Sequence, residues 1–573
     1  MATSQTPSSP SEVYDEGLKR DVGIFGLLWA SEGSIIGSGW LFGALYATTI
    51  AGPGSLIAWV IASFIIILLA LVHAELGGIF PVSGGTSRYP HFAFGTFAGA
   101  TFGWFSYIQA ATVAPIEVLA TIQYMSTVSW AHGWYNASTN TLSGPGVAVA
   151  VGLMVFFTLL NLIGVRWLAR ANSGITTWKV LIPILAIVVL LLTHFHASNF
   201  TAGGGFFYAG SGGVAKNILI AIPAAGIVFA LLGFEQAVQL GGESAHPQRD
   251  LPRAVIGSIV IGAVIYILVQ FAFVGALDLS TIPHFHTWPD LANNAALSAS
   301  PYYTLAKVAG LVWLAWILRL DAVVSPAGTG LIYLTSTSRI SFGLSKNGYI
   351  PALFEKSSQR TKIPVFGVIF STAVGLLFLL PFPSWSKLVT VVTSSSVLMY
   401  AGAPLALGAL RKSKPDLPRS YRLPVDKILA PLSFVLATYI VYWSGWETYT
   451  AMMLALIIGY VIMTVSFVFK LNPATPKLDW KSARWLLPYL TGLGVVSYFG
   501  GFGPGGIFGG IGVFKNVLVG GQGGLPLGYD LLVLGAFSLA IYFAAMTTRL
   551  PADQVDGYLH EMFASGAATE ELH

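Results

Sequence analysis

The chain contains no cysteine among its 573 residues, and only 9% of them are Asp, Glu, Lys or Arg. The first absence excludes a disulfide framework, a thiolate metal site and a cysteine nucleophile. The second reaches further. Soluble globular domains carry about 25% charged residues. With 55% apolar residues and a mean hydropathy of +0.72, this chain lacks the polar surface to wrap a water-soluble core. A soluble enzyme, a nucleic-acid-binding protein and a disordered scaffold are excluded. No Walker-type glycine-rich phosphate loop occurs, which argues against ATP-driven pumping. The ten histidines form no metal-spaced cluster, so neither a metal nor a cofactor is expected.

Apolar runs of membrane-span length fill most of the sequence, separated by Gly/Pro turns or charged clusters. The pattern predicts fourteen helical spans, near 22–48, 55–80, 97–128, 145–167, 173–196, 217–243, 252–276, 302–336, 363–381, 387–410, 427–445, 448–470, 484–500 and 527–548. The expected fold class is therefore an all-α polytopic protein of the lipid bilayer. Residues 1–21 and 549–573 read as tails, and no cleavable signal segment is expected. If the N-terminus is cytoplasmic, 24 of the 29 Lys and Arg residues fall on the inner side. Only Lys216, Lys307, Lys387 and Lys515 lie outside, with Arg319 inside a span. That asymmetry predicts an integral plasma-membrane protein with both termini cytoplasmic. The connection 501–526 is rich in glycine and reads as a flexible or re-entrant outer stretch.

Two spans carry a glycine break at membrane depth. The first contains Ser34-Ile35-Ile36-Gly37-Ser38-Gly39-Trp40, and the sixth contains Phe229-Ala230-Leu231-Leu232-Gly233-Phe234-Glu235. Each stands at the matching place in two successive groups of five spans. Small residues also serve close helix packing. Paired breaks at corresponding positions, each beside an ionisable residue (Glu32, Glu235), point instead to a transporter binding site. Freed N–H groups and the positive end of a half-helix suit an anionic group there.

Several stretches resemble the amino acid–polyamine–organocation transporter superfamily. They are Gly33 through Gly39, Ala74-Glu75-Leu76-Gly77-Gly78-Ile79-Phe80-Pro81, Phe229 through Glu235 with Gly242-Glu243, Asp250-Leu251-Pro252-Arg253-Ala254, and Lys346-Asn347-Gly348-Tyr349-Ile350-Pro351. More narrowly, Pro115-Ile116-Glu117-Val118, Leu320-Asp321-Ala322, Leu380 through Trp385, and Tyr442-Trp443-Ser444-Gly445-Trp446 resemble the bacterial aspartate–proton symporter branch. The resemblance implies a leucine-transporter-type fold. It would have two inverted five-helix repeats, 22–197 and 217–411, joined by an outer loop 198–216, and four accessory helices within 412–548. It also implies amino acid transport by alternating access, with an amino acid and a proton as the small partners. The backbone of Gly37, Ser38 and Gly39, beside Ser34, would hold the substrate carboxylate. Phe229 to Gly233 would supply carbonyls and an aromatic lid, with Phe234 and Glu235 alongside.

Charges at membrane depth are functional candidates by default. They are Glu32, Glu117, Glu235, Arg319, Asp321 and Lys179. Taken alone, Lys179 is either an interfacial lysine reaching the inner surface or a buried ammonium. The resemblance implies that it replaces a sodium ion beside the first break and takes part in proton coupling. Asp321 and Glu117, in apolar surroundings, are the proton-carrier candidates, or else acids permanently paired with Arg319 or a helix carbonyl. Glu75 and Glu243 are expected to make inner-gate contacts with loop cations such as Arg88 or Arg339. Extra acids at the site disfavour a dicarboxylate, so a neutral or cationic amino acid stands beside aspartate as the expected substrate. An ion transporter or channel on the same scaffold would need rings of carbonyls or carboxylates, and no filter-like repeat occurs.

Overall fold

The computed structural model describes residues 22–82, 84–136, 139, 141–163, 165–356, 358, 363–379, 385–474, 476–504 and 519–559. The two expected tails, most of the glycine-rich connection, and Leu380 through Ser384 of one quoted motif lie outside them, apart from residues 549–559. The helices in chain order are α1 (Ile24–Ile35), α2 (Ser38–Ala51), α3 (Ser55–Ile79), α4 (Gly85–Phe94), α5 (Thr96–Met125), α6 (Gly144–Ile163) and α7 (Val165–Thr193). There follow α8 (Val214–Ala224), α9 (Ile227–Ala230), α10 (Glu235–Gln239), α11 (Pro247–Ala276), α12 (Ala295–Ala299), α13 (Pro301–Val308) and α14 (Val312–Lys346). The last group is α15 (Val365–Leu379), α16 (Trp385–Ser413), α17 (Asp426–Trp443), α18 (Trp446–Val468), α19 (Trp480–Ala483), α20 (Leu486–Phe499) and α21 (Tyr529–Thr548).

Among the described residues, nine helical segments are long and apolar enough to cross a bilayer, and Ile24–Ile35, Val214–Ala224 and Val365–Leu379 are shorter apolar helices. The 42-residue segment Ser38–Ile79 is twice a membrane's thickness at ~1.5 Å per residue. It folds back on itself at Gly52, whose φ of +59° only glycine adopts without strain. α5 and α16 are almost wholly buried, while α6, α18 and α21 expose apolar faces. That is the arrangement of a helix bundle solvated by lipid.

The eighth span differs from the expected 302–336. Gly310 turns the chain with φ +75°, so α13 and α14 are separate helices. α14 begins at Val312 and runs to Lys346. Asp321 therefore sits in the third turn of this helix and not at its middle. The loop before the third span, in turn, carries the buried helix α4.

Both glycine breaks are present, and they touch. α1 stops at Ile35 and α2 starts at Ser38, with a tight bend at Ile36 and Gly37 between them, closed by the Gly37 N–H donating to the Ile35 carbonyl at 3.2 Å. The sixth span is divided by turns at Ala225–Gly226 and Leu231–Phe234, with Gly226 at φ +77° and Gly233 at φ +135°. A Cβ on Gly39 would stand 2.7 Å from the Ala230 Cβ, and one on Gly233 would stand 2.6 Å from the Ile35 nitrogen. Ser31 of α1 stitches the pair, donating to the Phe234 carbonyl at 3.2 Å and accepting from the Ala237 N–H at 3.2 Å.

Candidate functional site

A broken helix frees backbone groups that lipid cannot satisfy. Here side chains from neighbouring helices meet them. The Gly33 carbonyl accepts from the Lys179 ammonium of α7 and, at 3.1 Å, from Thr329 Oγ1 of α14. The Ile35 carbonyl accepts from the Tyr266 hydroxyl of α11 at 2.7 Å. Thr329 Oγ1 also lies 3.4 Å from the Ile36 carbonyl and 2.6 Å from Lys179 Nζ. At the start of α2, the Ser38 N–H donates to Glu117 Oε2 at 2.9 Å. Lys179 thus sits where a cation would meet the unwound carbonyls, fully buried. Among the described residues, no group of three or more His, Asp or Glu is placed to hold a metal ion.

Three further acids are buried at the site's borders, each differently. Asp321 accepts from Trp40 Nε1 at 3.0 Å, Trp178 Nε1 at 2.8 Å and Ser325 Oγ at 2.6 Å. It is not paired with Arg319, whose guanidinium lies 4.0 Å from the Tyr303 ring centroid and 5.0 Å from that of Trp316. Glu235 accepts from Tyr400 at 2.6 Å, Tyr333 at 2.8 Å and the Gly233 N–H at 2.8 Å. It therefore ties α10 to α14 and α16. Both oxygens of Glu32 are buried and meet no hydrogen-bond partner.

The breaks border a narrow cavity lined by Ser34, Ile35, Gly37, Gly39, Val113, Glu117, Phe229, Thr329 and Tyr333. Ser34, Gly37, Gly39, Glu117 and Phe229 are thus brought together as the sequence suggests. Ser38 is not among the lining residues, and its hydroxyl accepts from Trp385 Nε1 at 2.9 Å. Phe234 stacks on Tyr400 at 4.9 Å and, like Gly233 and Glu235, stands behind the cavity. Lys179 and Asp321 are not among the lining residues either, and Lys179 meets the cavity wall through Thr329.

Thr329 and Tyr333 receive no role from the sequence reading. A usable signal is there: Asp321, Ser325, Thr329 and Tyr333 recur every fourth residue, one polar face along a helix in lipid. The acids expected at a gate are split. Glu243 pairs with Arg339 at 2.8 Å as anticipated. Glu75 is held by Arg411, Arg419 and the Leu423 N–H, while Arg88 lies over the Phe92 ring at 5.8 Å.

Residues 22–468 match the family model described as amino acid permease. The chain is 35% identical over 534 residues to the glutamate/serine transporter AimA of Bacillus subtilis (strain 168), covering 92% of this chain and 94% of that one. It is 33% identical over 544 residues to the aspartate-proton symporter of the same organism, covering 94% and 98%. It is also 26% identical over 472 residues to that organism's branched-chain amino acid permease BcaP, covering 78% and 93%.

Proposed function

The chain belongs to the amino acid permease family, a family of transporters and not of enzymes, and from that premise we propose that this multi-pass integral membrane protein is a proton-coupled secondary carrier importing an amino acid by alternating access. The observation that carries the reading is the contact of two broken helices around a cavity that offers a helix N-terminus on one side and a buried ammonium behind it. In this reading the substrate carboxylate is received by the backbone at Gly37, Ser38 and Gly39. Phe229 closes over it, and the carbonyls of the Phe229–Gly233 turn meet its amino group. The scaffold is two inverted five-helix repeats, 22–197 and 217–411, with four accessory spans in 412–548. That makes fourteen spans in all, with both termini on the cytoplasmic side of the plasma membrane.

Lys179 is assigned the place of a coupling cation, so a proton and not sodium drives uptake. Asp321 and Glu117, the two carboxylates that act on the Lys179 charge, carry or relay it. The rigid-body exchange of access opens and closes the inner contacts of Glu75 and Glu243 with their arginines.

An acidic substrate such as aspartate is supported by the named activities of the two more similar relatives. A small neutral amino acid is the second reading, and the cavity favours it. No Lys or Arg is among its lining residues, Lys179 is committed to Gly33 and Thr329, and Arg319 is stacked on rings. Glu117 adds a carboxylate that a second substrate carboxylate would have to face. Uptake of a labelled amino acid panel into proteoliposomes separates the two. Accumulation should follow an inward proton gradient and ignore sodium. Sodium-driven uptake, or none with any amino acid, would overturn the assignment.

A further inference from the structure

The acceptor at the N-terminus of α2 is already present in the protein. Ser38 N–H, the group assigned above to the substrate carboxylate, donates to Glu117 Oε2 at 2.9 Å. The second oxygen, Glu117 Oε1, is buried and has no hydrogen-bond partner. A Cβ on Gly37 would stand 2.6 Å from that oxygen, so the side chain lies against the bare backbone of the break. Glu117 also lines the cavity itself. We propose that Glu117 is a tethered occupant of the substrate-carboxylate subsite, and that an incoming amino acid must displace it. This rests on the carrier reading above and deepens it.

The chemistry fixes what displacement requires. The Ser38 N–H that Glu117 holds cannot serve a second carboxylate as well, and two carboxylates crowded at one helix end cannot both remain ionised. When the substrate carboxylate takes the Ser38 N–H, Glu117 takes one proton from solution and becomes a neutral acid. Its new O–H then donates to the substrate instead of repelling it. One amino acid enters with one proton, and no other charge changes. The groups facing Glu117 are Lys179 from α7 and Tyr266 from α11. Beyond them, Glu32 of α1 acts on Tyr266 and Asp321 of α14 acts on Lys179. Tyr333 and Thr329 of α14 share the cavity wall. Lys179 keeps its carbonyl and hydroxyl partners throughout, so the proton is assigned to Glu117.

The test is calorimetry on the purified full-length protein in detergent, in buffers of different ionisation enthalpy. The ligand is the tightest binder found by thermal shift among the twenty proteinogenic amino acids. On the alkaline side, where Glu117 is ionised before the ligand arrives, the wild type should take up about one proton per ligand and its apparent Kd should rise about tenfold per pH unit. Glu117→Gln, whose amide donates without a proton, should bind at least as tightly, take up none and show a flat pH profile. Glu117→Asp, one methylene short of Ser38, should move the same way if the amide variant does not fold. The carboxamide of the same amino acid should not bind the wild type. Ligand binding without proton uptake, or an unchanged proton count in Glu117→Gln, would overturn displacement while leaving the carrier reading standing. Absence of any binder would overturn both.

Discussion

Gly39→Ala adds one methyl group at the point where the two breaks meet. The new Cβ would lie 2.7 Å from the Ala230 Cβ and 2.8 Å from the Ala230 Cα. The second of these atoms is backbone and cannot rotate away, so α2 and α9 must part by roughly 1 Å to restore ordinary contact. Overpacking of this kind costs about 1–3 kcal/mol, which is roughly 5- to 150-fold in the population of the closed arrangement. Substrate affinity should fall by that factor. Gly43→Ala supplies the control, since it changes the same atom in the same helix one turn on. There the nearest atom to the new Cβ is the ring carbon Trp59 Cζ2 at 3.4 Å, an ordinary van der Waals distance. It should keep its affinity and gain slightly in helix stability, because alanine is the better helix former. Saturation curves for uptake into proteoliposomes, with expression matched by immunoblot, decide the point. Equal KM values for the two variants would refute the claim that the breaks must touch to form the site.

Lys179→Met should abolish uptake without losing membrane insertion, because the Gly33 carbonyl and Thr329 lose their charged partner; sodium-stimulated uptake by the wild type would reject the role given to the lysine. Asp321→Asn and Glu117→Gln should each retain counterflow exchange at equal pH and lose gradient-driven accumulation. If both still concentrate substrate, coupling through these acids is wrong. Glu75→Gln should lower thermal stability in detergent by about 3–5 kcal/mol, since it strands Arg419, buried to 2% exposure, without its counter-charge. Glu243→Gln, breaking a partly exposed pair with Arg339, should cost under about 1 kcal/mol, and equal losses would show that burial is not what matters. Single cysteines placed at 412–425 in this cysteine-free chain should resist an impermeant thiol reagent added outside cells, and outside labelling would reverse the proposed orientation.

The parts of this site legible in the sequence are those that are costly in lipid. Glycine breaks and isolated charges stand out in apolar runs because a membrane tolerates them only where they face protein or a cavity. Gly37, Gly39, Gly233, Lys179 and Glu117 stand out that way, and Glu243 with Arg339 follows from their places at the ends of spans. Thr329 and Tyr333 are easily passed over because single hydroxyls in helices usually bond their own backbone, and only their four-residue spacing from Asp321 and Ser325 sets them apart. The partners of Glu75 are beyond reach for a different reason. Several basic residues are equally plausible by charge, and that Arg411 and Arg419 both arrive is decided by how the segment 411–423 folds back over α3. The start of α14 is hidden because Gly310 looks like any membrane-helix glycine until its φ is known.

The four-residue spacing along α14 makes that helix a phased element. One residue inserted ahead of Asp321 turns everything upstream by about 100° and lifts it by about 1.5 Å relative to the downstream turns. One inserted between Ser325 and Thr329 splits the row itself, sending either the carboxylate or the hydroxyls toward the lipid. Leu320 and Val323 now face that side, at 54% and 37% exposure. In α18, where Ile457, Ile458, Val461 and Val465 are all exposed, the same insertion exchanges one apolar side chain for another. Length variation among descendants of this chain should therefore collect in α18 and the connections around it. In α14 the number of residues between Asp321 and Tyr333 should stay fixed, even where the residues themselves change.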